Sequence, residues 1–321
     1  MKNGKTRGRS ARTPQEIGRR GWTDILWRAW RGLGRDALPT VARGIAFSAV
    51  MALLPGLAAF VSLYGLFADA TKAREHLSLL AGVVPPEALS LMGDEMVRIA
   101  TQADGRLGLT FFGGLAVAFW TANTGMKTLI RGLNIAYEEK EQRSFLRLNL
   151  VAAALTLSAF AFALVTAGAL LALPVILTVL GAPEWRPFSQ LRWPMLLAMA
   201  VLALEVLYRV APSRRPAKWR WLSVGSLLAA VLWMSGAALL ALYVRIFGSY
   251  SAAYGSLGAI FAVLLWFWLT ALVILLGAKL NAEAEHQTLV DTTTGAARPM
   301  GERGAVMADT VGSRSPRRRR G

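Results

Sequence analysis

The sequence predicts an all-α, polytopic membrane protein with six transmembrane helices, and three observations carry that prediction. Of the 321 residues, 55% are hydrophobic. Six apolar runs, at 44–67, 107–126, 150–173, 193–211, 222–247 and 256–281, each approach or exceed the roughly 20 residues that a spanning helix needs. A soluble domain of this size has no room to bury six of them. The segments between the runs also alternate in charge. Lys and Arg resist transfer across a bilayer during insertion, so they collect on one side.

The charge alternation sets the topology. Residues 1–43 carry eleven Lys/Arg against three acids, 125–148 five against three, 209–221 five against none, and the chain from Lys279 onward eight against five. The other segments are poorer: 68–106 has four against six, 181–192 two against one, and 245–254 only Arg245. The predicted arrangement is N-in/C-in, with both termini cytoplasmic. The formal charge of +17 follows these loops, so no specific nucleic-acid partner is expected.

The elements follow in order. Residues 1–39 form a basic cytoplasmic segment. Its first part, 1–14, is basic and Gly-rich and is expected to be disordered. In 15–38, Ile17, Trp22, Ile25, Leu26, Trp30, Leu33 and Ala37 recur at helical spacing with Arg20, Arg28, Arg31 and Arg35 between them. That pattern reads as an amphipathic helix on the anionic inner leaflet, with its tryptophans at headgroup depth. A helix packed under the membrane domain is the alternative; a nucleic-acid-binding helix fits less well, because the apolar face is too rich. No apolar h-region of a cleavable signal precedes the first run, which is expected to serve as the insertion signal.

The membrane domain spans 40–286. Pro55–Gly56 in the first run removes a helical hydrogen bond and predicts a bent helix. The external segment 68–106 is amphipathic and broken by Pro85–Pro86, which predicts a hairpin of two short helices between spans 1 and 2. The second helix is expected to run past Lys127 to Tyr137. Runs three and five share ALVTAGALLALPV (163–175) and LWMSGAALLALYV (232–244), a similarity that Ala- and Leu-rich composition also produces by chance. Residues 287–321, ending SRSPRRRRG, lack apolar periodicity and are expected to be a disordered basic cytoplasmic tail; near anionic lipid each of its arginines is worth about 1 kcal/mol.

Few residues carry chemistry. Glu205 lies inside the fourth run, where an acid is costly and marks either function or a structural ion pair. Arg209, four residues on, shares its face and is placed to pair with it. Asn123, with Thr121 and Thr124, forms a polar step at the end of the second run, and Arg131 and Asn134 extend that face. Interhelical hydrogen bonding competes there with a substrate headgroup site. Tyr254, with Tyr250, marks the external entry of the sixth run, and Gly255, Gly258 and Ala259 make a small-residue face. Lys279, Asn281, Glu283 and Glu285 close the sixth helix, and interface anchoring and capping compete with function for all of these.

Catalytic templates are missing. The chain has no cysteine and two histidines, His76 and His286, far apart in sequence. There is no Walker loop and no nucleophile elbow, and the GLG at 32–34 follows no strand. No metal, no cofactor and no enzymatic activity are expected.

Four stretches together resemble the YihY/BrkB family of inner-membrane proteins. They are GIAFSAVMALLPGL, WTANTGMKTLIRGLNIAYEEKEQRSF, LYRVAP and YGSLGAIFAVLLWFWLTALVILLGAKLNAEAE, and the resemblance covers roughly residues 40–286. It implies a bacterial cytoplasmic (inner) membrane protein linked to envelope integrity, serum resistance and the handling of lipid-type envelope precursors. An older family label, ribonuclease BN, is regarded as misassigned. Ala46, Phe47 and Ser48 depart from the Thr–Tyr–Tyr-like aromatics that members often carry in the first span. The expected function is transport of a lipid-like or anionic envelope metabolite, against the alternative of a non-transporting scaffold for envelope machinery. Expected partners are anionic inner-leaflet lipids, a lipid-like substrate and a second copy of the chain.

Overall fold

In lipid only a helix satisfies the backbone of an isolated apolar run within that run. The computed structural model, which describes residues 7–67, 107–179, 192–247 and 256–315, is accordingly all-helical. Its helices are α1 (Arg19–Arg35), α2 (Leu38–Phe67), α3 (Leu107–Ala136), α4 (Phe145–Val179), α5 (Arg192–Val210), α6 (Ser223–Phe247), α7 (Ser256–Glu285) and the short α8 (Val306–Asp309). Among the described residues no strand forms, and the β-pairing is an isolated antiparallel bridge, Ala217–Thr293.

Four of these helices are long and apolar enough to cross a bilayer, at Phe145–Thr166, Trp193–Val210, Ser223–Leu240 and Ile260–Glu285. A fifth span results if α1 and the start of α2, which meet at 62°, are counted as one broken element. The runs predicted at 44–67 and 107–126 lie within α2 and α3. Helix α2 continues through Pro55. Helix α3 ends at Ala136, close to the Tyr137 end expected from sequence. The predicted hairpin at 68–106 lies outside the described residues.

The chain forms two compact units. The first comprises Met1–Arg43, Met126–Ala238 and Leu269–Gly321. In it α1 turns Gly21, Asp24, Ile25, Arg28, Ala29 and Gly32 inward. Ile25 joins Ala11, Ile17, Trp221, Leu280 and Ala284 in one apolar cluster. Helix α1 is therefore packed against the end of α7, while Leu26 and Trp30 on its outer face stay exposed.

The polar segments at either end of the chain, expected to be disordered, have fixed partners from Arg7 to Ser315. Leu289 N donates to Arg9 O at 2.9 Å, Thr294 N to Pro216 O at 2.9 Å and Gly312 N to His286 O at 2.8 Å, and Ser315 N donates to Asp24 Oδ1 at 2.9 Å. Gln287, Thr292 and Thr293 are fully buried. The tail lacks an apolar stripe; hydrogen bonds hold it, some to distant segments, as at Arg9, Asp24 and Pro216, and others within the tail, as between Asp309 and the N–H groups of Gly301 and Arg303.

The second unit comprises Gly44–Gly125 and Leu239–Trp268. There a Cβ on Gly125 would stand 3.1 Å from Ser48 Cβ, so α2 and α3 approach closely. Thr121 and Thr124 return their hydroxyls to the Val117 and Trp120 carbonyls of their own helix, at 2.8 and 3.0 Å.

Candidate functional site

Charged side chains are buried at the end of α7. Spacing of three and four residues puts Lys279, Glu283 and His286 on one helical face. The Lys279 side chain is wholly buried, with Nζ 3.0 Å from Asp36 Oδ2, 3.3 Å from Glu138 Oε1 and 3.5 Å from Glu283 Oε1. Arg28 of α1 donates Nε to Glu283 Oε2 at 2.6 Å and Nη2 to the Gln287 side chain at 2.9 Å. Arg35 joins Asp36 at 2.8 Å and Glu138 at 2.5 Å, and its hydrogen bond to Asp36 helps push its proton affinity above the ordinary value. A cleft of about 560 Å³ opens beside this network, lined by Trp27, Arg31, Glu138, Glu283 and His286 among others.

A second ion pair lies along the same helix end. Arg214 and Glu285 are almost entirely buried and pair at 2.7 Å. Thr292 Oγ1 donates to Glu285 Oε2 at 2.9 Å, and the Arg214 guanidinium sits 4.4 Å over the Tyr137 ring. Burial alone would lower the Arg214 proton affinity, but the charge of Glu285 reverses this and raises it. Burial pushes the Tyr137 phenol up.

Arg214 also borders a larger cleft, of about 850 Å³. The α3–α4 loop, the end of α5 with its following loop, and the folded tail build it. Arg143, Arg147, Arg209, Arg214 and Arg215 line it, against the carboxylates of Glu139 and Asp309. Both Asp309 oxygens are taken by backbone N–H groups: Oδ1 by Gly301 and Arg303 at 2.8 and 2.9 Å, Oδ2 by Gly304 and Ala305 at 3.1 and 3.4 Å. Glu139 accepts from Val306 N at 2.8 Å, and burial outweighs that bond to raise its pKa.

The residues singled out from sequence fall into four groups. Asn134, Asn281 and Glu283 bind segments together. Asn134 donates to Glu141 at 2.9 Å and accepts from Ser213 N at 2.7 Å. Asn281 accepts from Gly225 N at 2.7 Å, capping the first turn of α6 from another helix, and donates to Leu222 O at 2.9 Å. Arg131 is exposed, and the Asn123 amide oxygen is covered without a partner. Tyr254 lies outside the described residues, as do Tyr250 and Gly255.

Glu205 and Arg209 do not form the ion pair that their spacing offers. Arg209 Nη1 donates to Ala217 O at 2.9 Å, and its guanidinium lies 4.7 Å over the Trp219 ring. A planar guanidinium in the last turn of α5 finds a carbonyl and an aromatic face beyond the helix end, and stacking favours both. Among the described residues Glu205, half-buried, has neither a hydrogen bond nor an ion pair.

Sequence reasoning missed Asp36, Glu138, Arg214 and Arg215 as site residues. Their only sequence signal is charge beside a helix end. Their partners lie up to 243 positions away, as Asp36 and Lys279 do.

The model of the virulence factor BrkB family matches residues 29–301, most of the chain. The chain belongs to the virulence factor BrkB family. It is 32% identical over 216 residues to a Bacillus subtilis protein provisionally named ribonuclease-like protein YfkH, covering 64% of this chain and 76% of that one. It is 27% identical over 287 residues to a UPF0761 membrane protein of Cronobacter sakazakii, covering 83% and 91%. Against a UPF0761 membrane protein of Aromatoleum aromaticum the identity is 27% over 249 residues, and the chain spans 59% of that relative's length. No solved structure matches it. This BrkB-family chain is a multi-pass membrane protein, and the names of its UPF0761 relatives state no catalytic function.

Proposed function

We propose that this protein crosses the bacterial cytoplasmic membrane six times, with both termini cytoplasmic, and transports a lipid-like or anionic envelope metabolite that envelope integrity requires. Helices α2 and α3 supply the first two spans in this reading. The observation that carries the transport reading is Glu205. A carboxylate at mid-span costs on the order of 2.5–3.5 kcal/mol on insertion scales, and an ionisable group left there is by default a functional one. Arg209 turns away from it, so the structural ion pair that would explain the acid away is not formed. Glu205 then serves as a proton-coupling or cation-binding group, and the arginine-lined cleft at the same end of α5 offers complementary charge to an anion.

Flux of lipid or ion through purified protein in liposomes tests this. Glu205→Gln should lower flux about tenfold or more while insertion, abundance and melting temperature hold. Equal flux, or loss of folded protein in its place, overturns the coupling role. A reporter fused after Gly105 should be external; a cytoplasmic reporter overturns the topology.

One observation favours a second reading, a non-transporting scaffold. Helix α1 is locked to the tail through Arg28 and Asp24, and the segment before it through Arg9, while α1 presents exposed Leu26 and Trp30. Capture of a stable partner whose binding survives Glu205→Gln would support it. Ribonuclease activity is no part of either reading, and metal-dependent RNA cleavage by purified protein, lost on a single substitution, would overturn both.

A further inference from the structure

The larger cleft holds more positive charge than its own carboxylates answer. Arg143 is matched by Glu141, at 2.8 Å, and Arg214 by Glu285. Arg147, Arg209 and Arg215 have no carboxylate partner among the described residues. Arg209 is held by Ala217 O and the Trp219 ring, and Arg215 reaches only Ala296 O, at 3.4 Å. The Arg147 side chain is exposed and makes no hydrogen bond among the described residues. Arg214 and Arg215 each keep a covered Nη1 atom without a partner. The two cleft carboxylates, Asp309 and Glu139, accept from backbone N–H groups rather than from these guanidiniums, and their two charges stand against the five arginines that line the cleft.

Three guanidinium forks on one cleft offer more donors than a single carboxylate accepts, and a phosphate group supplies both the oxygens and the charge. Position agrees with chemistry. Arg147 lies in the first turn of α4 and Arg209 in the last turn of α5, at the ends of two membrane-spanning helices, which is headgroup depth. We propose that this cleft binds a phosphate group through Arg147, Arg209 and Arg215, with Arg214 behind them. The site does not depend on the transport reading, because a phosphate binds there whether or not Glu205 couples flux.

Full-length protein in neutral detergent, titrated with dioctanoyl phosphatidic acid, dioctanoylglycerol and inorganic phosphate, tests the assignment. Phosphatidic acid should bind and raise the melting temperature, and dioctanoylglycerol should do neither. Competition by inorganic phosphate identifies the phosphate alone as the ligand; no competition identifies a lipid headgroup held with its tails. The pair Arg147→Gln and Arg215→Gln should weaken binding about tenfold or more. Dioctanoylglycerol binding as tightly as phosphatidic acid, or a double variant binding as tightly as the parent, overturns the site. Should Arg215→Gln unfold the chain, Arg147→Gln carries the test alone, with about threefold weakening expected and unchanged binding overturning it.

Discussion

The two ends of α7 invert each other. Near its start Ile260, Phe261 and Leu265 are 54, 68 and 47% exposed. At its finish Lys279, Asn281, Glu283 and Glu285 are at most 3% exposed. One helix thus turns large apolar side chains outward at one end and buries charge at the other. The outward residues make sense only with hydrocarbon as the solvent, where they cost nothing. The buried charges make sense only as a closed network, because an ion taken out of water must be paired and hydrogen-bonded to be tolerated. Exposure means different things at the two ends, and substitutions should reveal it.

The largest expected effect is at Glu283. Replacing it with Ala leaves Arg28 and Lys279 buried, with one acceptor fewer between them. Breaking a buried pair from one side costs about 3–5 kcal/mol, which should appear as a large fall in melting temperature in detergent. Phe261→Ala, at the outward end, should change stability by no more than about 0.5 kcal/mol. Equal losses at the two positions would break the comparison.

How far the sequence foretells this differs between the same two ends. Run length and loop charge identify the helices at 150–173, 193–211, 222–247 and 256–281 as apolar spans, because a bilayer constrains length and composition locally. Nothing local says that Lys279 meets Asp36, or that Arg214 meets Glu285. Those partners come from different segments, and the tail that covers them carries no periodic pattern. The i,i+4 rule even misdirects at Glu205 and Arg209, where an aromatic ring and a free carbonyl beyond the helix end win. Asn134 and Asn281 are intermediate: an amide at a helix end invites interhelical bonding, but Gly225 N, Leu222 O and Ser213 N as the partners appear only in three dimensions.

A smaller effect is expected where the buried end packs tightest. A Cβ on Gly225 would stand 2.2 Å from Gly277 O and 2.5 Å from Asn281 Oδ1. The glycines let α6 and α7 touch by backbone, as small residues do between membrane helices. Gly225→Ala should cost about 1–3 kcal/mol, read as a lower melting temperature. Gly34→Ala on α1, with nothing within 4 Å of the added carbon, should instead stabilise by about 0.5–1 kcal/mol from helix propensity. A neutral Gly225→Ala would show that the two helices can separate freely.

The smallest effect is a pH dependence at the rim of the polar end. Burial pushes the Glu141 carboxyl up, but hydrogen bonds from Arg143 and Asn134 outweigh it and hold the pKa at about 2, against an ordinary 4.5. A pKa lower in the folded state gives stability that is present above the ordinary value and lost as pH falls toward the folded one. The melting temperature should therefore fall between pH 4.5 and 2, and Glu141→Gln should flatten part of that slope. Asp291, whose carboxyl is also held low once bonds from Arg298 N and Thr293 outweigh its burial, keeps a residual slope in that variant. Glu139 acts in the opposite sense, since burial raises its pKa and its protonation relieves a cost as pH falls. The effect at Glu141 is small because its side chain is 24% exposed and water screens the pair, whereas Glu283 at 4% has no such screen. An unchanged slope in Glu141→Gln would mean that the Asn134–Glu141–Arg143 contact does not distinguish the folded chain from the unfolded one.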